Sequence, residues 1–263
     1  GGVNPSACRD ALVAAAQAEG VDLKIAAVRG DDLMPQVEAM RAAGTTEMFS
    51  GAAFPAKLPS ANAYLGAFPI AAALAAGADI VVTGRCVDSA VTLAPLIARF
   101  GWKADDLDKL AQGSLAGHLI ECGTQATGGN YTDWASVPGW DDMGFPIAEC
   151  RADGSFVVTK PAGTGGLVCP STVGEQMLYE IGDPRAYILP DVVCDFTAVT
   201  LTQVGPDRVE VKGARGRAPT DQAKASLTYA DGFRAMSLFM IDGIDANTVR
   251  TAVAVPCEKA EEA

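Results

Sequence analysis

In the first half of the chain, apolar positions recur with a helical period and alternate with short, wholly apolar runs. Asn4-Pro5 supplies a helix cap and an N1 proline, an Ala-rich run extends to Glu19, and Gly20 stands where a helix ends. Residues 24–28 read as a short strand ending in Gly30-Asp31-Asp32, after which a helix is predicted over 33–43, stopped by Gly44. A second cycle follows: a helix over 61–76, a strand at Asp79-Ile80-Val81-Val82-Thr83, the turn Gly84-Arg85-Cys86-Val87-Asp88-Ser89, and a helix to Phe100. A further helix is predicted over 105–121. Strands separated by helices of this length predict a parallel sheet covered by helices.

After Gly123 the period changes to two. Residues 147–150 and 156–160 flank Ala152-Asp153-Gly154-Ser155, residues 197–203 and 208–212 flank Gly205-Pro206-Asp207, and residues 224–229 and 233–240 flank Ala230-Asp231-Gly232. Each is a hairpin signal. One helix, over 171–181, interrupts this part. The expected fold is α/β, with a parallel-type sheet and flanking helices in the first half (1–122) and an antiparallel-rich α+β second half (123–263), the two forming one continuous domain.

Composition narrows the function. The chain has 263 residues, 49% of them hydrophobic and 20% charged, which is too apolar for a disordered protein. With 20 Lys and Arg against 32 Asp and Glu, the net charge is −12, which argues against nucleic acid as the main partner. The longest apolar stretch, 63–82, is broken by Gly66, Pro69, Gly77 and Asp79, so no membrane span is expected. The seven cysteines are scattered without a CxxC pair, which points to reduced thiols and a cytoplasmic location. With a single histidine, His118, a zinc site is not expected.

Candidate chemistry gathers at loops that follow strands. Beyond the carboxyl end of a strand, the next helix offers free N–H groups and its positive dipole end. There, Arg85 suits a carboxylate or phosphate, while Asp88 suits a proton-transfer role or a helix cap. Asp31 and Asp32 occupy the equivalent place after the earlier strand, where one can act as a base and Asp32 can equally cap the next helix. The segment Gly163-Thr164-Gly165-Gly166 leads through Cys169-Pro170-Ser171-Thr172 into a helix, so its glycines and hydroxyls suit an anion, although it matches neither a Walker A loop nor GxGxxG. Gly128, Gly129 and Asn130 form a loop at the junction of the halves, where pockets commonly form. Cys169 has no histidine near it in sequence, and His118, between Leu115 and Leu119, reads as a core residue.

The motifs in order carry more than any one of them. Gly1-Gly2-Val3-Asn4-Pro5, Val28-Arg29-Gly30-Asp31-Asp32, Asn62-Ala63-Tyr64-Leu65-Gly66, Asp79 to Arg85 with Asp88, Cys122-Gly123 with Gly128-Gly129-Asn130, Gly163-Thr164-Gly165-Gly166, Tyr179-Glu180-Ile181-Gly182-Asp183-Pro184, and Pro190-Asp191-Val192 with Asp195 together resemble the acyclic terpene utilisation protein A family. The resemblance covers almost the whole chain. It implies a role in the bacterial breakdown of acyclic terpenes such as citronellol and geraniol, a route through acyl-CoA thioesters, with no reaction assigned to the family itself. It also implies that this chain, which opens without a Met, is an internal section of a longer family domain. Asn4, Asp31, Asp32, Arg85, Asp88, Gly128, Gly129, Asn130, Thr164, Gly165 and Gly166 match motif positions, whereas Cys86 and Cys169 fall at variable ones.

The expectation that emerges is an enzyme acting on a small anionic substrate, a carboxylate or an acyl-CoA. Asp31, Asp32 and Asp88 would handle protons, and Asn4, Arg85, Gly128, Gly129, Asn130, Thr164, Gly165 and Gly166 would hold the substrate. No metal is expected, the cofactor is open, and a homo-oligomer is allowed for. The alternative is a non-catalytic assembly or ligand-binding subunit of the same route.

Overall fold

The computed structural model describes residues 4–232 and 236. Nearly all of them lie in the first of two units into which the chain divides, Gly1–Tyr229 and Ala230–Ala263.

The first helix, α1 (Pro5–Ala18), starts where Asn4 Oδ1 accepts the Ala7 N–H at 3.0 Å. It leads to β1 (Ile25–Val28), a short 3-10 turn at Met34–Gln36, α2 (Val37–Ala42), β2 (Ser60–Ala63), α3 (Phe68–Ala75), β3 (Ile80–Thr83), α4 (Ala90–Phe100) and α5 (Leu107–Ile120). β1 and β3 pair in parallel, Ile25 with Ile80 through Val28 with Thr83, as the helix–strand alternation predicts.

Later strands are antiparallel. β4 (Ile147–Cys150) and β5 (Phe156–Thr159) form the first expected hairpin. After α6 (Pro170–Leu178) come β6 (Tyr187–Ile188) and β7 (Val193–Asp195), then the second hairpin, β8 (Thr200–Gly205) with β9 (Arg208–Lys212), and β10 (Arg215–Arg217). The strands run in the orders β4-β5-β9-β8 and β10-β7-β6. The fold is thus mixed α/β, with a parallel pair and antiparallel-rich sheets.

One expectation needs correcting. The helix over 61–76 begins only at Phe68, with Pro69 in its first turn, because residues 60–63 are drawn into an antiparallel pair with β11 (Ala225–Thr228), Ala61 opposite Leu227. The arm expected at 224–229 is present and pairs with β2. Of the other expected arm, 233–240, all but Met236 lies outside the described residues.

Helix α5 organises the core. Its ten residues Leu110 to Leu119 are all buried, and none carries a formal charge at neutral pH, as suits a helix covered on every side. Two glycines let its neighbours close in: a Cβ on Gly113 would lie 2.7 Å from Leu93, and one on Gly117 2.7 Å from the Ser89 Cα. Gln112, buried, donates to the Val211 carbonyl at 3.0 Å and accepts the Ala214 N–H at 2.9 Å, so the one long polar side chain in the run is fully used. The same hydrophobic core takes Leu93, Leu110 and Leu115 from the first half and Phe156, Val158, Val209 and Val211 from the second.

Candidate functional site

The turn after β3 is held from behind by a buried carboxylate. Asp31 is 3% exposed, and its Oδ2 accepts both the Arg85 backbone N–H and Asn62 Nδ2, each at 2.8 Å. Its carboxylate occupies the space that a Cβ on Gly84 would need. A second clamp of the same kind sits beside it. Asp191 Oδ2 accepts the Ala67 N–H at 2.7 Å, at the start of α3, and its carboxylate fills the space of a Cβ on Gly66. Burial pushes the Asp191 carboxyl above its usual range, against the lowering effect of the Ala67 and Phe68 N–H donors. The two clamped segments are stitched together where Leu65 N–H donates to Arg85 O and Val87 N–H to Leu65 O, both at 3.0 Å.

In front of this frame lies an open cleft of about 460 Å³, lined by Thr83, Gly84, Arg85, Cys86, Asp88, Val91 and Glu121. Gly117 lets α5 rest on the Ser89 backbone, and Glu121, just past the end of that helix, lines the same cleft as Asp88. The Arg85 guanidinium stacks over the Tyr64 ring, 4.7 Å from its centroid, and donates to the Tyr64 hydroxyl at 3.3 Å. That hydrogen bond outweighs partial desolvation and, with the Asp88 charge, holds the guanidinium above its ordinary pKa. No carboxylate lies within ion-pair distance of it among the described residues. Burial, reinforced by Asp88, pushes the Cys86 thiol up, so it is a poor nucleophile.

Glu121 was not expected from the sequence. The available signal was a carboxylate directly after the uncharged run 110–120, one turn after His118. His118 itself is 5% exposed, and burial lowers its pKa despite the opposing charge of Glu121, so the ring is neutral. Its ring stands 6.1 Å from that of Tyr187.

Of the residues expected at the site, the structure brings together Arg85 and Asp88, with Asp31 directly behind them. Asp32 caps the 3-10 turn, accepting the Met34 N–H at 2.9 Å, and Asn4 caps α1. Gly128 and Gly129 direct their N–H groups to Gln125 O and Thr124 O, and Asn130 is exposed. In the glycine segment, the N–H groups of Gly165 and Gly166 are engaged by Asp142 O and Pro138 O, both at 2.7 Å, and the Thr164 hydroxyl by Pro161 O at 2.8 Å. Gly165 is packed on Gly139, where no Cβ fits. These glycines serve a close loop-to-loop contact.

Gly163 lies on a second cleft of about 400 Å³ that shares no lining residue with the first. Lys160 in it donates to Thr164 O at 2.6 Å and lies 3.3 Å from Asp207, while Arg208 pairs with Glu149. Its cations are already neutralised. At the start of α6, burial raises the Cys169 thiol, but hydrogen bonds from Ser171 and Thr172 outweigh it and leave the pKa below the ordinary value. Tyr131 donates to Ser171 Oγ at 2.9 Å, tying the 128–134 loop to this helix end.

Among the described residues, no three His, Cys, Asp or Glu side chains are grouped to hold a metal, and no helix is long and apolar enough to cross a membrane. The six cysteines described are all free thiols.

The fold is mixed α/β, and at the end of a parallel strand Arg85, Asp88 and Glu121 line one cleft. Comparison with known proteins gives the family: the model of the acyclic terpene utilisation family protein AtuA matches residues 1–255. The chain belongs to that family and hence to acyclic terpene utilisation. Neither the curated proteins nor the solved structures offered a match.

Proposed function

We propose that the protein is an enzyme of acyclic terpene catabolism that takes a carboxylate or acyl-CoA intermediate into the cleft at the end of β3. The observation that carries this reading is the Arg85 guanidinium, stacked on Tyr64 and left without a carboxylate partner beside Asp88 in one open cleft. Arg85 holds the anionic group, and its planar fork suits two parallel bonds to a carboxylate or phosphate. Asp88 and Glu121, which both line the cleft, are the groups that accept or return a proton on the bound substrate. Asp31 does not line the cleft; it fixes the Arg85 backbone and so the direction in which the guanidinium leaves the turn. Six free thiols support a reducing, cytoplasmic setting.

The test is a thermal-shift and calorimetric screen against acyl-CoAs and free acyclic terpenoid acids. A ligand at 100 times its Kd stabilises the native state by about 2.7 kcal/mol. Arg85→Ala should remove that gain, and Asp88→Asn or Glu121→Gln should stop turnover while binding persists. Unchanged affinity in Arg85→Ala would take Arg85 out of the site.

One observation favours a second reading, a non-catalytic assembly subunit. Trp134, Trp140 and Phe145 are 63%, 48% and 65% exposed within one short stretch, which suits a protein contact. Substrate binding without turnover in the wild-type chain, together with co-purification of other enzymes of the route, would select it.

A further inference from the structure

The cleft's arginine has a cationic companion. Lys224 immediately precedes β11, and its carbonyl accepts the Tyr64 N–H at 3.0 Å, continuing the β2–β11 pairing by one step. Its ammonium stands 5.2 Å from the Tyr64 ring centroid, on the same ring that carries Arg85 at 4.7 Å. Because the two distances share one centroid, the charges are no more than about 10 Å apart, about a Debye length at 0.1 M ionic strength, so their repulsion is felt. Among the described residues neither cation has a carboxylate within ion-pair distance. Lys24, Arg29, Lys57, Arg99, Lys103 and Arg217 also lack one among the described residues, so what sets Arg85 and Lys224 apart is that both stand on one ring.

Each cation stacked on the ring is favoured by its quadrupole. That does not account for gathering like charges with no acid between them. A bound group of matching charge does. A monocarboxylate pairs with one cation; a ligand with separated anionic groups, such as the several phosphates of an acyl-CoA, can pair with both.

We infer that Tyr64, Arg85 and Lys224 form one recognition platform for a phosphate-bearing ligand, with Lys224 the residue that distinguishes it from a simple carboxylate. The inference rests on the reading of the Arg85 cleft given above and names the anion it takes. The Tyr64 hydroxyl accepts one Arg85 N–H, and no other hydrogen bond engages the guanidinium among the described residues. The same chemistry is offered by an acyl-CoA, through its phosphates, and by a free phosphate.

The experiment measures binding of three probes to the whole chain by calorimetry: an acyl-CoA, the free acid of the same acyl chain, and inorganic phosphate. Each is measured with wild type, Lys224→Gln and Arg85→Gln. The expected result is that Lys224→Gln weakens the acyl-CoA about tenfold, leaves the free acid within twofold, and flattens the salt dependence of acyl-CoA binding, while Arg85→Gln weakens both. Competition by inorganic phosphate that disappears in Lys224→Gln would support the platform and assign it to free phosphate; its absence alongside the expected acyl-CoA effect assigns it to the thioester. If both organic probes bind wild type and Lys224→Gln changes neither, or changes both alike, this inference is overturned and the Arg85 reading stands. If no probe binds wild type, both fall. Circular dichroism of Lys224→Gln, an exposed position, separates loss of binding from loss of fold.

Discussion

Replacing Asp31 separates a clamp from a proton carrier. Asp31 accepts two hydrogen bonds on one oxygen, from the Arg85 backbone N–H and from Asn62 Nδ2, and is 3% exposed. In Asp31→Ala both donors lose their acceptor. A buried donor left unsatisfied costs about 1–3 kcal/mol; the Arg85 N–H has no other partner, whereas the half-buried Asn62 amide can turn towards water, so the expected loss is about 2–4 kcal/mol. Against a total stability of roughly 5–15 kcal/mol this is large. In Asp31→Asn the amide oxygen still accepts both bonds and only the charge-assisted share goes, about 1 kcal/mol. Urea unfolding at neutral pH reads the difference as a shift in midpoint at constant slope. Ligand affinity should follow the backbone: weakened in Asp31→Ala, within a few-fold of wild type in Asp31→Asn. Equal losses of stability in the two variants, or a loss below about 1 kcal/mol in Asp31→Ala, would refute the clamp. Abolished turnover in a stable, ligand-binding Asp31→Asn would instead make Asp31 the proton carrier.

Asp191 tests the second clamp through pH. Its folded pKa is raised by burial, so its favourable contribution is complete below the unfolded carboxylate range and is lost as pH rises through the raised folded value. Asp191→Asn, which keeps an acceptor for the Ala67 N–H, should be at least as stable as wild type at neutral pH and show a smaller loss of urea midpoint as pH rises from below the ordinary carboxylate range to neutral; Asp191→Ala should lose about 1 kcal/mol as an uncapped α3. Gly84→Ala and Gly66→Ala place a methyl group inside the Asp31 and Asp191 carboxylates, and each should lower thermal stability measurably, whereas Gly163→Ala, with open space around it, should cost only the strain of its φ of +81°. Among the described thiols Cys169 should be alkylated first at neutral pH, ahead of Cys86, Cys122 and Cys150, whose burial raises their pKa values, the last two to about 11. Ser171→Ala should slow it, as peptide mass spectrometry would show, and faster labelling of Cys122 would contradict the assignment.

What the sequence made legible was local. The Ile80–Thr83 strand, its turn with Arg85 and Asp88, and α4 lie within twenty-odd consecutive residues, and each carries its own signal in period, glycine or cap. β2 did not, because Ser60-Ala61-Asn62-Ala63 is short and Ala-rich and becomes a strand only when Ala225–Thr228 arrives beside it. The three short strands β6, β7 and β10 are too brief to show a period. The glycine segment misled for a related reason. Glycines that approach an anion and glycines that approach another backbone look alike in sequence, and only the partners Asp142 O and Pro138 O show which applies to Gly165 and Gly166. Glu121 and Lys224 reach the cleft region through packing between distant elements, α5 on the Ser89 backbone and β11 on β2, which no local pattern encodes.

The two clamps also bear on why Arg85 is available at all. A buried aspartate near an arginine would ordinarily take the guanidinium, and the site would then present no charge. Here Asp31 is satisfied by the backbone N–H of Arg85 and by the Asn62 amide, and the half-buried Asp191 by the N–H groups at the start of α3, so neither carboxylate draws on a side-chain cation. The glycines at 84 and 66 make this geometry accessible, because each lets a carboxylate approach the chain closely enough to reach the following N–H. The Arg85 side chain is thereby left to Tyr64 and the cleft, and it follows that Asn62, remote from any ligand chemistry of its own, is a positioning residue. Asn62→Ala should leave Asp31 with a single donor, raise its demand for a cation, and draw the Arg85 guanidinium inward. The expected readout is weaker anion binding with little change in stability, and undiminished anion binding in a well-folded Asn62→Ala would show that the direction of Arg85 is set elsewhere.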